Sequence, residues 1–249
     1  MSRIFLVRHG QAGSRQNYDC LSDLGHTQAR ALGDYFAREG VTFHAAWVGG
    51  LTRQRQTAEH VAAAYAAAGR AFPAPTHDPA WNEFDLDHIY QHLAPILAEE
   101  DPEFRTDYEV MQADVHAAGE NTEAQVHRRW TGADVRLVAA WIKGHPKYGE
   151  EGYTGESFRD FHARIAACRT ALAPLTQADD DHNLIVFTSG TPIGIWTALG
   201  LDVEDHRAMR LAGVLHNASY TMMRLRPDQL RLHAFNAVPH LSGELLTWR

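Results

Sequence analysis

Arg8 and His9 follow directly on four apolar residues, Ile4-Phe5-Leu6-Val7, and lead into Gly10 and Gln11. An arginine can fork two N–H donors onto a phosphate or a carboxylate. A histidine can act as base, nucleophile or metal ligand. Gly10 lets the backbone turn tightly or approach a ligand closely. A short apolar run with β-branched and aromatic content predicts a buried strand, most simply one in a parallel sheet. Arg8 and His9 then stand at the carboxyl end of that strand, where open α/β sheets keep their ligand sites. Three residues match by chance often enough that the rest of the chain must complete any site.

Metal chemistry is not indicated. The 16 histidines are mostly scattered, and there is no HExxH and no CxxC pair. Cys20 and Cys168 cannot form a disulfide framework and fit a reducing compartment. With 31 acidic and 23 basic residues the net charge is −8, which argues against nucleic acid or an anionic membrane as partner. A local arginine cluster can still hold a small anion. The first strand begins almost at once, with no apolar leader and no transmembrane run, so the cytoplasm is the expected location.

These residues need a scaffold, and the pattern supplies one. Ser22-Asp23 offers an N-cap for a helix to about Arg38, and Gly40 stops it. Phe43 to Val48 predicts a second strand, and Gly49-Gly50 turns into a second helix carrying Leu51, Ala58, Val61, Ala62 and Tyr65 on one face. Alternation of strand and helix predicts parallel crossovers and an α/β sheet. Phe72-Pro73-Ala74-Pro75 is a connector. From about residue 87 to 152 the chain shows helical stretches (89–98, 102–117, 122–142) and no good strand. It is expected to be a helical insertion over the strand ends within a single domain spanning 1–249. Ser157 with Asp160 opens a helix whose stripe is Phe158, Phe161, Ile165, Cys168 and Leu172. Asn183 to Phe187 predicts a buried strand, followed by a helix with Thr191 as N-cap and Pro192 in its first turn. Tyr220–Leu225 and Leu230–Phe235 predict a closing pair of strands around Arg226-Pro227-Asp228.

Taken together, several segments resemble the histidine phosphatase superfamily, the phosphoglycerate-mutase-like fold. They are Arg8-His9-Gly10, Leu21-Ser22-x-x-Gly25-x-x-Gln28-Ala29-x-x-Leu32, Leu51-Thr52-Arg53-Gln54-Arg55-Gln56-Thr57-Ala58, Glu83, Gly155-Glu156-Ser157-Phe158, Val186-Phe187-Thr188-Ser189-Gly190 and Asn217-Ala218-Ser219. The resemblance covers almost the whole chain, least so in the insertion. It implies a three-layer α/β/α sandwich with a mostly parallel central sheet. It implies a metal-independent phosphomonoester hydrolase with no cofactor, acting on a small phosphorylated substrate, as a monomer or homodimer. His9 corresponds to the nucleophile that forms a phosphohistidine. Arg8 and Arg53 correspond to the phosphate-gripping arginines. Glu83 corresponds to the acid for the leaving oxygen, with Asp85 an alternative if the loop register differs.

Ser189 stands where the family places its second histidine, and the helix start at Gly190 can add backbone donors. Gln11 and Asn17 are candidate phosphate contacts, and His216 is a candidate substitute for the second histidine. His88, His92 and Arg105 are candidate substrate contacts. Two further readings stay open. One is a phosphate-binding protein with weak or no turnover, which the serine at 189 would favour. The other is a mutase-type phosphotransferase. An interaction protein built on the helical insertion has only Trp81, Trp130 and Trp141 behind it, and these are more simply core.

Overall fold

The computed structural model describes residues 2–13, 18–118, 131–148, 155–176, 181–226 and 229–248. Six strands make one sheet: β1 (Ser2–Arg8), β2 (Ala45–Val48), β3 (Thr76–His77), β4 (Asn183–Thr188), β5 (Tyr220–Leu225) and β6 (Leu230–Ala237), in the order β3-β2-β4-β1-β5-β6. β3, β2, β4 and β1 run parallel, and β5 and β6 close the sheet antiparallel. The mixed, mostly parallel α/β class expected from the strand–helix alternation is what the chain adopts. β3 escapes sequence reading because its two residues are exposed and follow a proline connector, with no hydrophobic pattern.

Parallel strands buried on both faces need an unbroken apolar run, and Ile4–Val7 of β1 and Leu184–Phe187 of β4 supply it. Phe5 and Val7, Ala46 and Val48, and Ile185 and Phe187 face one layer, with Leu32 and Phe36 of α1 (Asp23–Arg38) and Ala58, Val61 and Tyr65 of α2 (Thr52–Ala67). Phe5, Phe36 and Phe43 meet edge to face at 5.3–5.7 Å. Ile4, Leu6, Leu184 and Val186 alternate with these and are fully buried from the other side. There Trp196 of α7 (Gly190–Leu201) donates from Nε1 to the Ile165 carbonyl.

The described chain divides into two compact units, Met1–Glu83 with Arg164–Arg249, and Phe84–Ala163. The second is helical: α3 (Leu86–Glu100), α4 (Pro102–Ala118), α5 (Gly132–Lys143) and the start of α6 (Phe158–Leu172), around Phe84, Trp141, Phe158 and Phe161. Asp85 caps α3, and Thr131 with Asp134 caps α5. α5 starts at Gly132; the earlier part of the helix expected over 122–142 lies outside the described residues, as does the turn at Pro227-Asp228. All five stripe residues of α6 are buried, and Ser157 and Asp160 exchange the expected cap bonds. The next helix differs from expectation. α7 begins at Gly190, so its N-cap is Ser189 and Thr191 lies inside the first turn. Among the described residues, no helix is long and apolar enough to cross a membrane.

Candidate active site

The sheet register brings the candidate residues to one edge. Arg8 pairs with Thr188, Val48 with Phe187, and Val7 with Tyr220. The carboxyl ends of β1, β4 and β2, and the loop entering β5, therefore emerge together. The His9 N–H donates to the Thr188 carbonyl at 3.0 Å, Arg8 N–H to Ser219 O at 3.0 Å, and Ala218 N–H to His9 O at 3.1 Å.

Gly10 and Gly25 explain why the following motif needs its glycines. A Cβ on Gly10 would lie 2.5 Å from the Gly25 carbonyl oxygen, and one on Gly25 would lie 2.1 Å from that of Gln11. The loop after β1 thus rests backbone-on-backbone on the first turn of α1. Ser22 caps that turn, accepting from Gly25 N–H at 3.0 Å. Gln28 accepts the Gln11 N–H through Oε1 at 2.8 Å. Thr57 of α2 accepts the Gly10 N–H at 3.1 Å. The buried motif polars are a clamp on the backbone that follows His9.

His9 is 4% exposed. Its Nδ1 lies 2.7 Å from the Gly10 carbonyl, and its Nε2 lies 3.2 Å from Arg53 Nε. A carbonyl only accepts and a guanidinium only donates. The two contacts therefore fix one tautomer: Nδ1 carries the proton and Nε2 presents its lone pair. Burial, with the charges of Arg53 and Arg8, holds the imidazole pKa well below the usual histidine range. The ring is neutral at pH 7, as a nitrogen nucleophile must be.

Arg53 is held from three sides. Besides His9, its Nη1 meets Asp19 Oδ1 at 3.1 Å, and its guanidinium lies 5.1 Å from the centre of the Tyr18 ring. Asp19 also accepts the Thr52 N–H through both oxygens at 3.1 Å. Leu51, the N-cap of α2, has no acceptor side chain, so a distant carboxylate caps the helix instead. Arg55, by contrast, folds back onto the Gly50 carbonyl and Thr52 Oγ1 at its own helix start. Arg8 donates from Nη1 to the Leu215 carbonyl, and a Cβ on Gly190 would lie 3.8 Å from Arg8 Nε. The opening turn of α7 thus adjoins the Arg8 guanidinium. Glu83 reaches the same turn, accepting the Thr191 N–H through Oε2 at 3.0 Å. Ser189 is buried, and its Oγ accepts from Gln54 Nε2 at 2.8 Å.

The structure therefore assembles Arg8, His9, Arg53, Glu83, Ser189 and Gly190 around the ends of β1 and β4. The remaining candidates have the following neighbours. The Gln11 side chain accepts the Ser22 hydroxyl at 2.8 Å, bracing the α1 cap. His216 hydrogen-bonds Asn236, and its ring meets Trp248 edge-on at 5.2 Å. Arg105 donates to the Ala98 and Glu99 carbonyls, capping the end of α3. His88 and His92 lie ring to ring at 4.2 Å on that helix. Asn17 lies outside the described residues. Sequence reading missed Asp19, Tyr18, Gln54 and Asn82, whose Oδ1 accepts the Gly50 N–H at the turn into α2. Tyr18, Asp19 and Asn82 are polar residues in loops with no local pattern to mark them, and Gln54 stands within the α2 motif, where sequence reading gave it no role of its own.

A profile of the histidine phosphatase superfamily (branch 1) matches residues 4–140 and 134–238. No curated protein sequence matches the chain. Among solved structures, a putative alpha-ribazole-5'-P phosphatase from Escherichia coli aligns with a TM-score of 0.58 at 18% identity, covering 95% of this chain and 98% of its own. A mycobacterial glucosyl-3-phosphoglycerate phosphatase aligns at 0.56 and 22%, covering 94% and 98%. A phosphoserine phosphatase from Entamoeba histolytica, a histidine-to-alanine variant in complex with phosphoserine, aligns at 0.56 and 16%, covering 97% and 100%. At these identities the likeness is one of fold.

Proposed function

Since the chain belongs to branch 1 of the histidine phosphatase superfamily, we propose that it hydrolyses phosphate monoesters through a phosphohistidine on His9. The observation that carries this is the His9 ring itself, buried, neutral and locked with its Nε2 lone pair toward Arg53. An oriented imidazole needs no deprotonation before it attacks phosphorus.

In the first step Arg53 shifts its Nε donor from His9 to the phosphoryl oxygens, and Arg8 takes a second position on them. The Nε2 lone pair forms the N–P bond as the ester P–O bond breaks. Glu83, in its acid form, gives its proton to the leaving oxygen, so an alcohol departs in place of an alkoxide. In the second step water attacks phosphorus and loses a proton to the Glu83 carboxylate. The N–P bond breaks, its electron pair returns to Nε2, and inorganic phosphate leaves. Such a reaction asks the protein mainly for positioning and for charge around the equatorial oxygens. Two arginines and the α7 N-terminus meet that demand.

The test is turnover of an aryl phosphate in the presence of a chelator, with His9→Ala as the control. Wild-type turnover that survives chelation and vanishes in the variant supports the reading, and phosphate trapped on His9 after a quench that avoids acid completes it. Equal background in both proteins, with inorganic phosphate still raising the melting temperature, would replace the enzyme by a phosphate-binding protein.

A further inference from the structure

Ser189 is the N-cap residue of α7, yet its hydroxyl makes no cap bond to the helix. Serine at this position ordinarily accepts a backbone N–H from the first turn. Here Oγ accepts from the side chain of Gln54 at 2.8 Å, and Ser189 is 1% exposed. Among the described residues no acceptor is placed for the hydroxyl proton.

Gln54 is fully buried and its amide is committed throughout. Nε2 also lies 3.4 Å from the Trp81 carbonyl, and Oε1 accepts the Leu51 N–H at 3.3 Å. Space is kept for it, because a Cβ on Gly49 would fall 2.0 Å from Oε1. The backbone on both sides of this amide fixes which end is nitrogen: the Trp81 carbonyl, which also accepts from Thr188 Oγ1, can only accept, and the Leu51 N–H can only donate. Its neighbour in α2, Arg53, reaches His9 Nε2. On the far side of Ser189, Gly190 adjoins Arg8.

We propose that Gln54 is a positioning residue which occupies a lone pair of Ser189 Oγ, so that the Ser189 O–H donates into the phosphate site between Arg8 and Arg53. The pair is a neutral, non-titrating donor for a phosphoryl oxygen. This rests on the hydrolase reading above for its catalytic consequence, and on the geometry alone for its effect on phosphate binding.

The decisive variant is Gln54→Glu, which keeps the shape and reverses the hydrogen bond. An ionised carboxylate at 54 draws the Ser189 proton toward itself and away from phosphate. Ser189→Ala removes the donor outright, and Gln54→Met fills the volume with no polar atom. With an aryl phosphate as substrate, Ser189→Ala and Gln54→Glu should each lose kcat/KM on the order of 10²-fold, as for one lost transition-state donor. Gln54→Glu should regain activity at acid pH, where its protonated carboxyl can again donate to Oγ. Adding Gln54→Met to Ser189→Ala should cost little more than Ser189→Ala alone. Wild-type kcat/KM in Gln54→Glu, absence of the acid recovery, or full additivity in the double variant would overturn the assignment. If Gln54→Glu does not fold, the Ser189→Ala and double-variant comparison decides alone. If the wild type turns over no ester, the hydrolase reading fails separately. Affinity for inorganic phosphate then tests the pair: about 10-fold weakening in Ser189→Ala and Gln54→Glu supports it, and unchanged affinity overturns it.

Discussion

His240→Gln should flatten the acid side of the stability curve. The His240 ring packs beside Tyr35 and Tyr220, and its Nε2–H donates to the Ala218 carbonyl at 3.0 Å. Its Nδ1 is buried and has no hydrogen-bond partner among the described residues. Protonation would place charge on an atom with nothing to accept its hydrogen. Burial accordingly pushes this imidazole down to about 4, against a weaker upward pull from the Ala218 carbonyl. In the unfolded chain the ring keeps its ordinary value of about 6.5. Between pH 6.5 and 4 the unfolded state therefore binds more protons, and stability falls as pH falls through that window. It is fully present above it. By pH 5 nearly every unfolded ring is protonated and few folded ones are, which amounts to ~2 kcal/mol relative to pH 8. Because the ring is only partly buried by surface area, solvent screening brings the expected change to ~1–2 kcal/mol.

Glutamine keeps an N–H for Ala218 and cannot titrate. Urea unfolding followed by tryptophan fluorescence at pH 8, 7, 6 and 5, on wild type and His240→Gln, measures the difference directly. The variant should lose less stability than wild type on acidification, by that amount at pH 5. His9, whose pKa is also held low, leaves a residual acid limb in both proteins. Parallel curves from pH 8 to 5 would refute the assignment of acid sensitivity to His240. The contact matters for the site because Ala218 holds a left-handed φ of 55° and donates to the His9 carbonyl.

Two further outcomes are expected. Gly25→Ala drives a methyl to 2.1 Å from the Gln11 carbonyl, and should cost ~3 kcal/mol by overpacking while displacing the backbone after His9; thermal unfolding and aryl phosphatase turnover read both effects, and unchanged values in each would contradict the close crossing. Asp19→Asn keeps an acceptor for Thr52 and Arg53 but removes a half-exposed negative charge beside the proposed anion site. A pair of this exposure is worth ~0.2–1 kcal/mol, so KM for a phosphate monoester should fall by up to about 5-fold; a rise would show that Asp19 serves chiefly to position Arg53.

Much of this protein is written locally. Short apolar runs bounded by polar residues predict strands buried on both faces, and Ile4–Val7 and Leu184–Phe187 are such strands. Periodic stripes and caps fixed α1 at Ser22 and α6 at Ser157, because capping bonds span three residues. The Arg8-His9-Gly10 motif singled out the residue proposed above as nucleophile, because the motif stands in one local stretch at the end of β1.

Tertiary structure alone decided the rest, because those choices join residues far apart in the chain. The tautomer of His9 depends on Arg53, 44 residues away, and the bond that Ser189 Oγ accepts comes from Gln54, 135 residues away. The first turn of α2 has no local cap and takes Asp19 from another loop. Gln11 Oε1 accepts the hydroxyl of Ser22, the residue that caps α1, a pairing that nothing next to His9 in the sequence marks. Ser189, not Thr191, became the N-cap because β4 delivers the chain to α7 two residues earlier than the proline implied. Spacing in sequence selects the residue types; which polar atoms remain to act depends on the partners that folding brings to them.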